Sequence, residues 1–146
     1  MIELTEEALV EASVDVVWRD FTDAPSLVAW IWPPRFESTA VVDARPHGAW
    51  EVRSDAAELA VIGRVLKVDA PRNLRLEWRW DGEQHATDVE ITLEPAAGDA
   101  ARVIVRHSGF QTQEERESHV EGWSNCLQRL VERHVDSAGR RRLSLT

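Results

Sequence analysis

The stretch VIVRHSGFQTQEERESHVEGWSNCLQRLVERHV, residues 103–135, decides the fold of this chain. It begins with alternating apolar and polar residues, the period of a strand with one buried face, and this strand ends at His107-Ser108-Gly109-Phe110. Thr112 and Glu115 then have the spacing of a capping box, which marks the start of a helix. The apolar residues that follow recur on one helical face: Trp123, Leu127, Leu130 and Val131. The stretch therefore predicts a last strand followed by a long amphipathic helix that ends near Val135.

A second pattern predicts the sheet against which this helix packs. Apolar side chains alternate with polar ones over residues 74–80 and 89–93, as expected where one sheet face is buried and the other faces water. Tight-turn signals such as Pro46-His47-Gly48, Asp81-Gly82 and Gly98-Asp99 separate these runs. The predicted strands cover residues 37–44, 49–54, 59–68, 73–80, 88–94 and 102–107.

The beginning of the chain predicts a strand that includes Ala8 and Val10, followed by two short helices. Ser13 has the position of a helix N-cap, and Pro33-Pro34 ends the second helix. The resulting order lacks the crossover helices that a parallel sheet needs. We therefore predict an α+β fold in which a curved antiparallel sheet wraps around the long C-terminal helix. The two short helices then cover one mouth, and space left between sheet and helix becomes a cavity.

Length and composition narrow the class of protein. The 146 residues suit one domain, expected over residues 1–136, with a basic C-terminal tail at residues 137–146 that contains Arg140-Arg141-Arg142. A net charge of -9 argues against nucleic acid as a partner. The acidic N-terminus differs from a signal peptide, and no apolar run is long enough for a membrane span. Because the only cysteine, Cys126, has no partner for a disulfide within the chain, we expect a cytoplasmic location.

Six short motifs occur in an order that is typical of one family. They are Val17-Trp18, Trp30, Asp43-x-Arg45-Pro46-x-Gly48, Gly63-x-Val65 with Pro71-x-x-Leu74 and Trp78, His107-Ser108-Gly109-Phe110, and Gly122-Trp123-x-x-x-Leu127-x-x-Leu130. Through them residues 8–135 resemble the SRPBCC, or START-like, superfamily, in the branch of the activator of the heat-shock-protein-90 ATPase. The resemblance implies the helix-grip fold and either a hydrophobic-ligand pocket or a chaperone-related interaction surface. It does not identify the ligand, because Ser54-Asp55-Ala56-Ala57-Glu58 replaces a Gly-rich hairpin expected at the cavity mouth.

The tryptophans are the first candidates for a cavity wall, since the chain contains seven of them and no tyrosine. Five belong to the end and inner face where the pocket would open, and they either line it or fill the core: Trp30, Trp32, Trp50, Trp78 and Trp80. Trp123 lies on the apolar face of the helix, where core packing is favoured. Gly122 beside it leaves room that either a sheet side chain or a ligand fills. Trp123, Gly122, Cys126 and His107 complete the predicted binding residues.

His107 is the main polar candidate, because its parity with Val103 and Val105 points it inward. It either meets a polar group of the ligand or is a neutral core histidine with a backbone or water partner. A general base would need an acid on the same face, whereas Asp88 and its acidic neighbours on that strand have the opposite parity. No catalytic residue is therefore predicted.

Histidine spacing argues against a metal site, and no cofactor is expected. Pairing around Gly98 places Val89 opposite His107 and leaves His85 about 13 Å away. His119 and His134, on one helix, are roughly 22 Å apart.

The sequence leaves three functional hypotheses. The first is a protein that binds a small apolar molecule in the cavity without catalysis. The second is a co-chaperone-like domain with a collapsed cavity and an acidic outer face, whose partner is a chaperone or another protein; a homodimer is also left open. The third is an enzyme similar to polyketide cyclases or dehydratases, which an inward acid near His107 would favour.

Overall fold

Seven strands and three helices make up the structure. The computed structural model describes residues 1–144 and the side chains of residues 1–135. The strands are β1 (Ile2–Val10), β2 (Thr39–Val42), β3 (Ala49–Ser54), β4 (Leu59–Asp69), β5 (Asn73–Trp78), β6 (Thr87–Ala96) and β7 (Ala100–Phe110). The helices are α1 (Val14–Thr22), α2 (Ala24–Val28) and α3 (Gln113–Ser144), with a 3-10 turn at Pro34–Phe36.

The strands form one antiparallel sheet in the order β1-β7-β6-β5-β4-β3-β2. Strands β2 to β7 are therefore a meander, and β1 pairs with β7 at the far edge. Val89 lies opposite His107, as the turn at Gly98 predicts. The α+β class and the helix-grip arrangement are confirmed.

The predicted helix starts are also found. The Ser13 hydroxyl accepts a hydrogen bond from the Val16 backbone N–H at 3.3 Å and so caps α1. At α3, the Thr112 hydroxyl accepts from the Glu115 N–H at 3.0 Å. The Glu115 carboxylate in turn accepts from the Gln111 N–H at 2.9 Å, one residue earlier than in a standard capping box.

The core lies between the inner face of the sheet and the helices. The sheet contributes fully buried side chains from alternating positions, namely Leu74, Leu76, Val89, Ile91, Val103 and Val105. Helix α3 packs along β1 and β7, and it contributes Trp123, Leu127 and Leu130. The apolar face of the sheet and the apolar stripe of α3 therefore pack against each other, as predicted.

Gly63 marks a close approach of three strands. A Cβ atom at this position would lie 2.5 Å from the Trp50 carbonyl oxygen and 2.9 Å from that of Glu77. No side chain fits between β3, β4 and β5 there, so this position of β4 requires glycine.

Several element boundaries differ from the sequence prediction. Strand β1 begins at Ile2, well before Ala8. The sequence did not indicate this start, because the apolar alternation of the strand is weak. Strand β5 ends at Trp78, and Trp80 pairs only through an isolated bridge to Val61. Helix α3 continues to Ser144 instead of ending near Val135. The side chains of the tail that begins at residue 137 lie outside the described part, so its role stays a prediction.

Within the described residues, no helix combines the length and the apolar composition that crossing a bilayer requires.

Candidate functional site

A cavity of about 810 Å³ lies between α3 and one end of the sheet. Its apolar wall is mainly aromatic and includes Trp32, Trp78, Trp80, Trp123, Leu59 and Ala60. Exposed residues from the β3–β4 turn and from the segment between β5 and β6 also line it, so it opens to solvent. The volume lies within the range of small-molecule binding sites.

The indole rings of the wall form a connected cluster. Trp32 and Trp80 are stacked, with ring centroids 6.3 Å apart and planes at 10°. Trp78 meets the edge of Trp80 at 5.8 Å and also lies 5.3 Å from Trp123. Strand β5 and the segments on either side of the cavity thus bring these four rings together around one space.

Six of the nine predicted binding residues line this cavity, namely Trp32, Trp78, Trp80, Gly122, Trp123 and Cys126. The other three, Trp30, Trp50 and His107, do not, and their predicted place on the wall is corrected. Trp30 packs edge-on against Phe21 at 5.0 Å and donates its indole N–H to the Asp20 carbonyl oxygen. Trp50 donates to the Phe21 carbonyl oxygen at 3.0 Å. Both rings therefore attach α1 to the rest of the core.

His107 is fully buried and has a partner at each ring nitrogen. Its Nδ1 accepts the Trp123 indole N–H at 3.0 Å, so its Nε2–H donates to the Thr87 hydroxyl at 2.6 Å. Burial, and to a smaller extent the neighbouring His119, lower the pKa of His107 to about 3. The imidazole is therefore neutral at physiological pH, as expected for a satisfied core histidine.

His119 is the histidine that lines the cavity, and the sequence reasoning did not select it. Its Nδ1 donates to the Glu115 carbonyl oxygen at 2.8 Å, and its Nε2 accepts the Trp80 indole N–H at 3.0 Å. This contact joins α3 to the end of β5 across the cavity wall. The signal was present in the sequence, because His119 lies one helical turn before Trp123 on the inward face.

Gly122 faces open space, since a Cβ atom there would meet nothing within 4 Å. Of the two predicted alternatives, close packing of a sheet side chain against this glycine is therefore wrong. Cys126 is buried nearby and donates its thiol to the Ile31 carbonyl oxygen at 2.9 Å. Burial raises the pKa of this thiol to about 11, and the adjacent Arg129 guanidinium only partly offsets the effect.

The mouth of the cavity is strongly negative. Its acidic rim consists of Asp55, Glu58, Asp81, Glu83 and Glu115. Among the described lining residues the only arginine or lysine is Arg53, which lies 3.9 Å from Asp81. Two of these acids, Asp55 and Glu58, belong to residues 54–58, which replace the expected Gly-rich hairpin. This segment lies at the cavity mouth, as predicted.

A second polar cluster, away from the cavity, was not predicted. The Asp20 carboxylate is buried and accepts from His134 Nε2 at 2.7 Å and from Arg133 Nε at 3.2 Å. Helical spacing places Asp20 near the inward-facing Val17 and Phe21, but the partner on α3 is more than a hundred residues away. The cluster attaches α1 to the later part of α3.

The described residues offer no obvious reaction centre. Among them, no group of three histidine, cysteine, aspartate or glutamate side chains could hold a metal ion. The partners of His107 are a hydroxyl and an indole rather than a carboxylate. Asp20, the only buried carboxylate in this part of the chain, is occupied by Arg133 and His134.

Several known protein structures have the same fold as this chain. Protein CV1439 from Chromobacterium violaceum is 24% identical, with a TM-score of 0.78 over 90% of this chain and 96% of that one. The AHSA1 protein SPO3351 from Silicibacter pomeroyi is 22% identical, with a TM-score of 0.75 over 90% and 96%. PFC0360w, an Hsp90 activator from Plasmodium falciparum, is 16% identical, with a TM-score of 0.69 over 88% and 92%. These likenesses show a shared fold.

No curated protein matches the sequence significantly. A family model does: the one described as "Activator of Hsp90 ATPase homolog 1-like protein" matches residues 11–134. This span includes both short helices, six strands and most of the described side chains of α3. The chain therefore belongs to the Activator of Hsp90 ATPase homolog 1-like protein family, as the motifs from Val17 to Leu130 indicate.

Proposed function

We propose that this protein binds one small apolar molecule, in the cytoplasm, in the cavity between the sheet and α3. The observation that carries the proposal is an open space of about 810 Å³ walled by four indole rings. Concave sites of this size with a largely aromatic inner wall are usual places for small ligands. Gly122 supports the assignment, because the helix leaves its position open although alanine would favour the helix more.

The co-chaperone hypothesis is supported by the family name and by the Hsp90 activator of Plasmodium falciparum among the structural neighbours. It predicts a collapsed cavity, whereas this cavity is open. We therefore favour ligand binding.

The enzyme hypothesis needs an acid beside His107. Within the described residues the two nitrogens of that ring contact Thr87 and Trp123 instead. The geometry gives this hypothesis no proton-transfer pair.

Titration with an apolar fluorescent dye tests the proposal. One dye should bind per chain and quench tryptophan emission, because Trp32, Trp78, Trp80 and Trp123 line the site. Gly122→Leu should abolish binding, since its side chain extends into space that is empty for at least 4 Å around the new Cβ. The fold should survive this change, because a Cβ atom at this position meets no neighbouring atom.

Ser124→Leu is the matched control, as it adds a similar side chain at an exposed position of α3 that does not line the cavity. This variant should bind the dye normally. Dye binding that survives Gly122→Leu, or that leaves tryptophan emission unchanged, would refute the proposal.

A further inference from the structure

The polar groups of the cavity are unevenly distributed, with carboxylates at the mouth and aromatic rings inside. The acidic rim has five carboxylates against the single guanidinium of Arg53. Asp81 lies within ion-pair distance of that guanidinium, and Glu115 accepts the Gln111 N–H. Within the described structure, the carboxylates of Asp55, Glu58 and Glu83 have no hydrogen bond or ion pair. They therefore give the mouth a negative potential that is not neutralised internally.

A second observation concerns Trp78, on the wall of the same cavity. Its side chain is almost completely buried, and its indole N–H has no acceptor among the described residues. By contrast, four other indoles each donate to an oxygen or nitrogen atom, namely those of Trp30, Trp50, Trp80 and Trp123. The Trp78 indole nitrogen itself has almost no accessible surface, so Trp78 meets the cavity through its ring and not through its N–H.

The stacked pair Trp32 and Trp80 supplies the third element. Ring faces attract cations as well as apolar groups, and the attraction grows where water is excluded. Both rings line the cavity together with Asp81 and Glu83. A positive group near the mouth would thus meet carboxylates and indole faces at the same time.

We infer that the cavity selects amphiphiles that combine an aromatic body, which packs against the indole wall, with a cationic group held at the acidic rim. This inference rests on the proposed ligand-binding function and specifies its ligand class. An anion of the same shape is disfavoured, because the unpaired carboxylates repel it.

Three probes with a shared methoxynaphthalene body test the inference. They differ only in their ends, which are an ethylamine, an ethanol or an acetate group. Calorimetric titration at low ionic strength should give the amine about tenfold or more higher affinity than the acetate, with the alcohol between them. The ratio should shrink in concentrated salt, because the rim is exposed to screening.

The double variant Glu58→Gln/Glu83→Gln should bring the amine-to-acetate ratio close to one. Glu94→Gln/Asp99→Asn is the control: it removes the same charge at the opposite end of β6, about 30 Å away, and should keep the ratio. Equal affinity for all three probes in the unaltered protein overturns the inference and leaves the proposed function intact. A loss of the ratio in both double variants also overturns it, since overall charge then explains the preference. Failure of all three probes to bind refutes the proposed function itself.

Discussion

The two halves of α3 contact the rest of the molecule in different ways. Residues 113–126 border the cavity, and at Gly122 the helix faces open space. Residues 127–135 are attached to the short helices. Arg129 donates to the carbonyl oxygens of Trp30 and Ile31 at 2.9 Å, and Arg133 and His134 bind Asp20. One helix therefore both closes the core at one end and leaves a ligand-sized space at the other.

Trp123 lies in the half that borders the cavity, one helical turn before Leu127, and its removal should have the largest effect. Trp123→Ala should lower the free energy of unfolding by about 3 to 5 kcal/mol, because the ring is buried and donates to His107. Chemical denaturation measures the loss. Trp18→Ala, at a half-buried position of α1, should cost clearly less. A loss below about 1 kcal/mol for Trp123→Ala would mean that this part of α3 contributes little to the core.

Acidification should lower the free energy of unfolding through His107, which bonds to Trp123 in the half of α3 that borders the cavity. Its pKa is about 3 in the folded protein, whereas an unperturbed histidine has a pKa of 6.5, so the unfolded chain binds the proton more readily. The stabilising contribution is complete above pH 6.5 and is lost as the pH falls toward 3. It should amount to about 3 kcal/mol between pH 6.5 and 4.

His107→Phe isolates this effect, because it removes the titrating group. The variant should be less stable than the unaltered protein at pH 7, and the difference should shrink by the same amount at pH 4. Its dye affinity at pH 7 should be unchanged, since His107 does not line the cavity. A weakened affinity of the folded variant would return His107 to the binding site, and a constant stability difference would refute the pH assignment.

The attachment of residues 127–135 to α1 should depend on Asp20. Asp20→Asn keeps the shape of the side chain but removes the charge that faces Arg133 and His134, and should cost about 2 kcal/mol of unfolding free energy. Dye affinity should remain within about twofold. Asp15→Asn, on the exposed side of α1, is the control and should change stability by less than about 0.5 kcal/mol. Equal effects of the two substitutions would show that the Asp20 cluster does not hold α3.

The smallest expected effect is a gain. Gly122→Ala should stabilise the protein by about 0.5 to 1 kcal/mol, because alanine favours the helix and its Cβ meets nothing within 4 Å. Gly63→Ala should instead destabilise it, since its Cβ would lie 2.5 Å from the Trp50 carbonyl oxygen. Thermal melting of both variants measures the contrast, and destabilisation by Gly122→Ala would contradict an open cavity at this position.

Sequence periodicity predicted which face of the sheet each residue occupies, but not whether that residue lies beside the cavity or beside α1. His107, Trp50 and Trp78 were all predicted to point inward, and all three are buried. Only Trp78 lines the cavity, because Trp50 lies beside α1 and bonds to the Phe21 carbonyl oxygen. The position of α1 over the sheet depends on contacts between distant residues, which a local pattern does not contain.

The same reason explains what was missed in α3. His119 shares a helical stripe with Trp123, so its inward direction was readable, but its bond to Trp80 depends on how β5 ends. The pairing of Asp20 with His134 joins residues at opposite ends of the chain. Element order and the pairing of Val89 with His107, by contrast, follow from turns and alternation, and these were predicted correctly.

Cys126 gives the cavity a further property, chemical inertness. With a pKa of about 11, its thiol is ionised in about one molecule in ten thousand at pH 7, and the thiolate is the reactive form. The sulfur is also engaged by the Ile31 carbonyl oxygen. A ligand with an electrophilic group could therefore occupy this space next to a cysteine and leave again without forming a covalent bond.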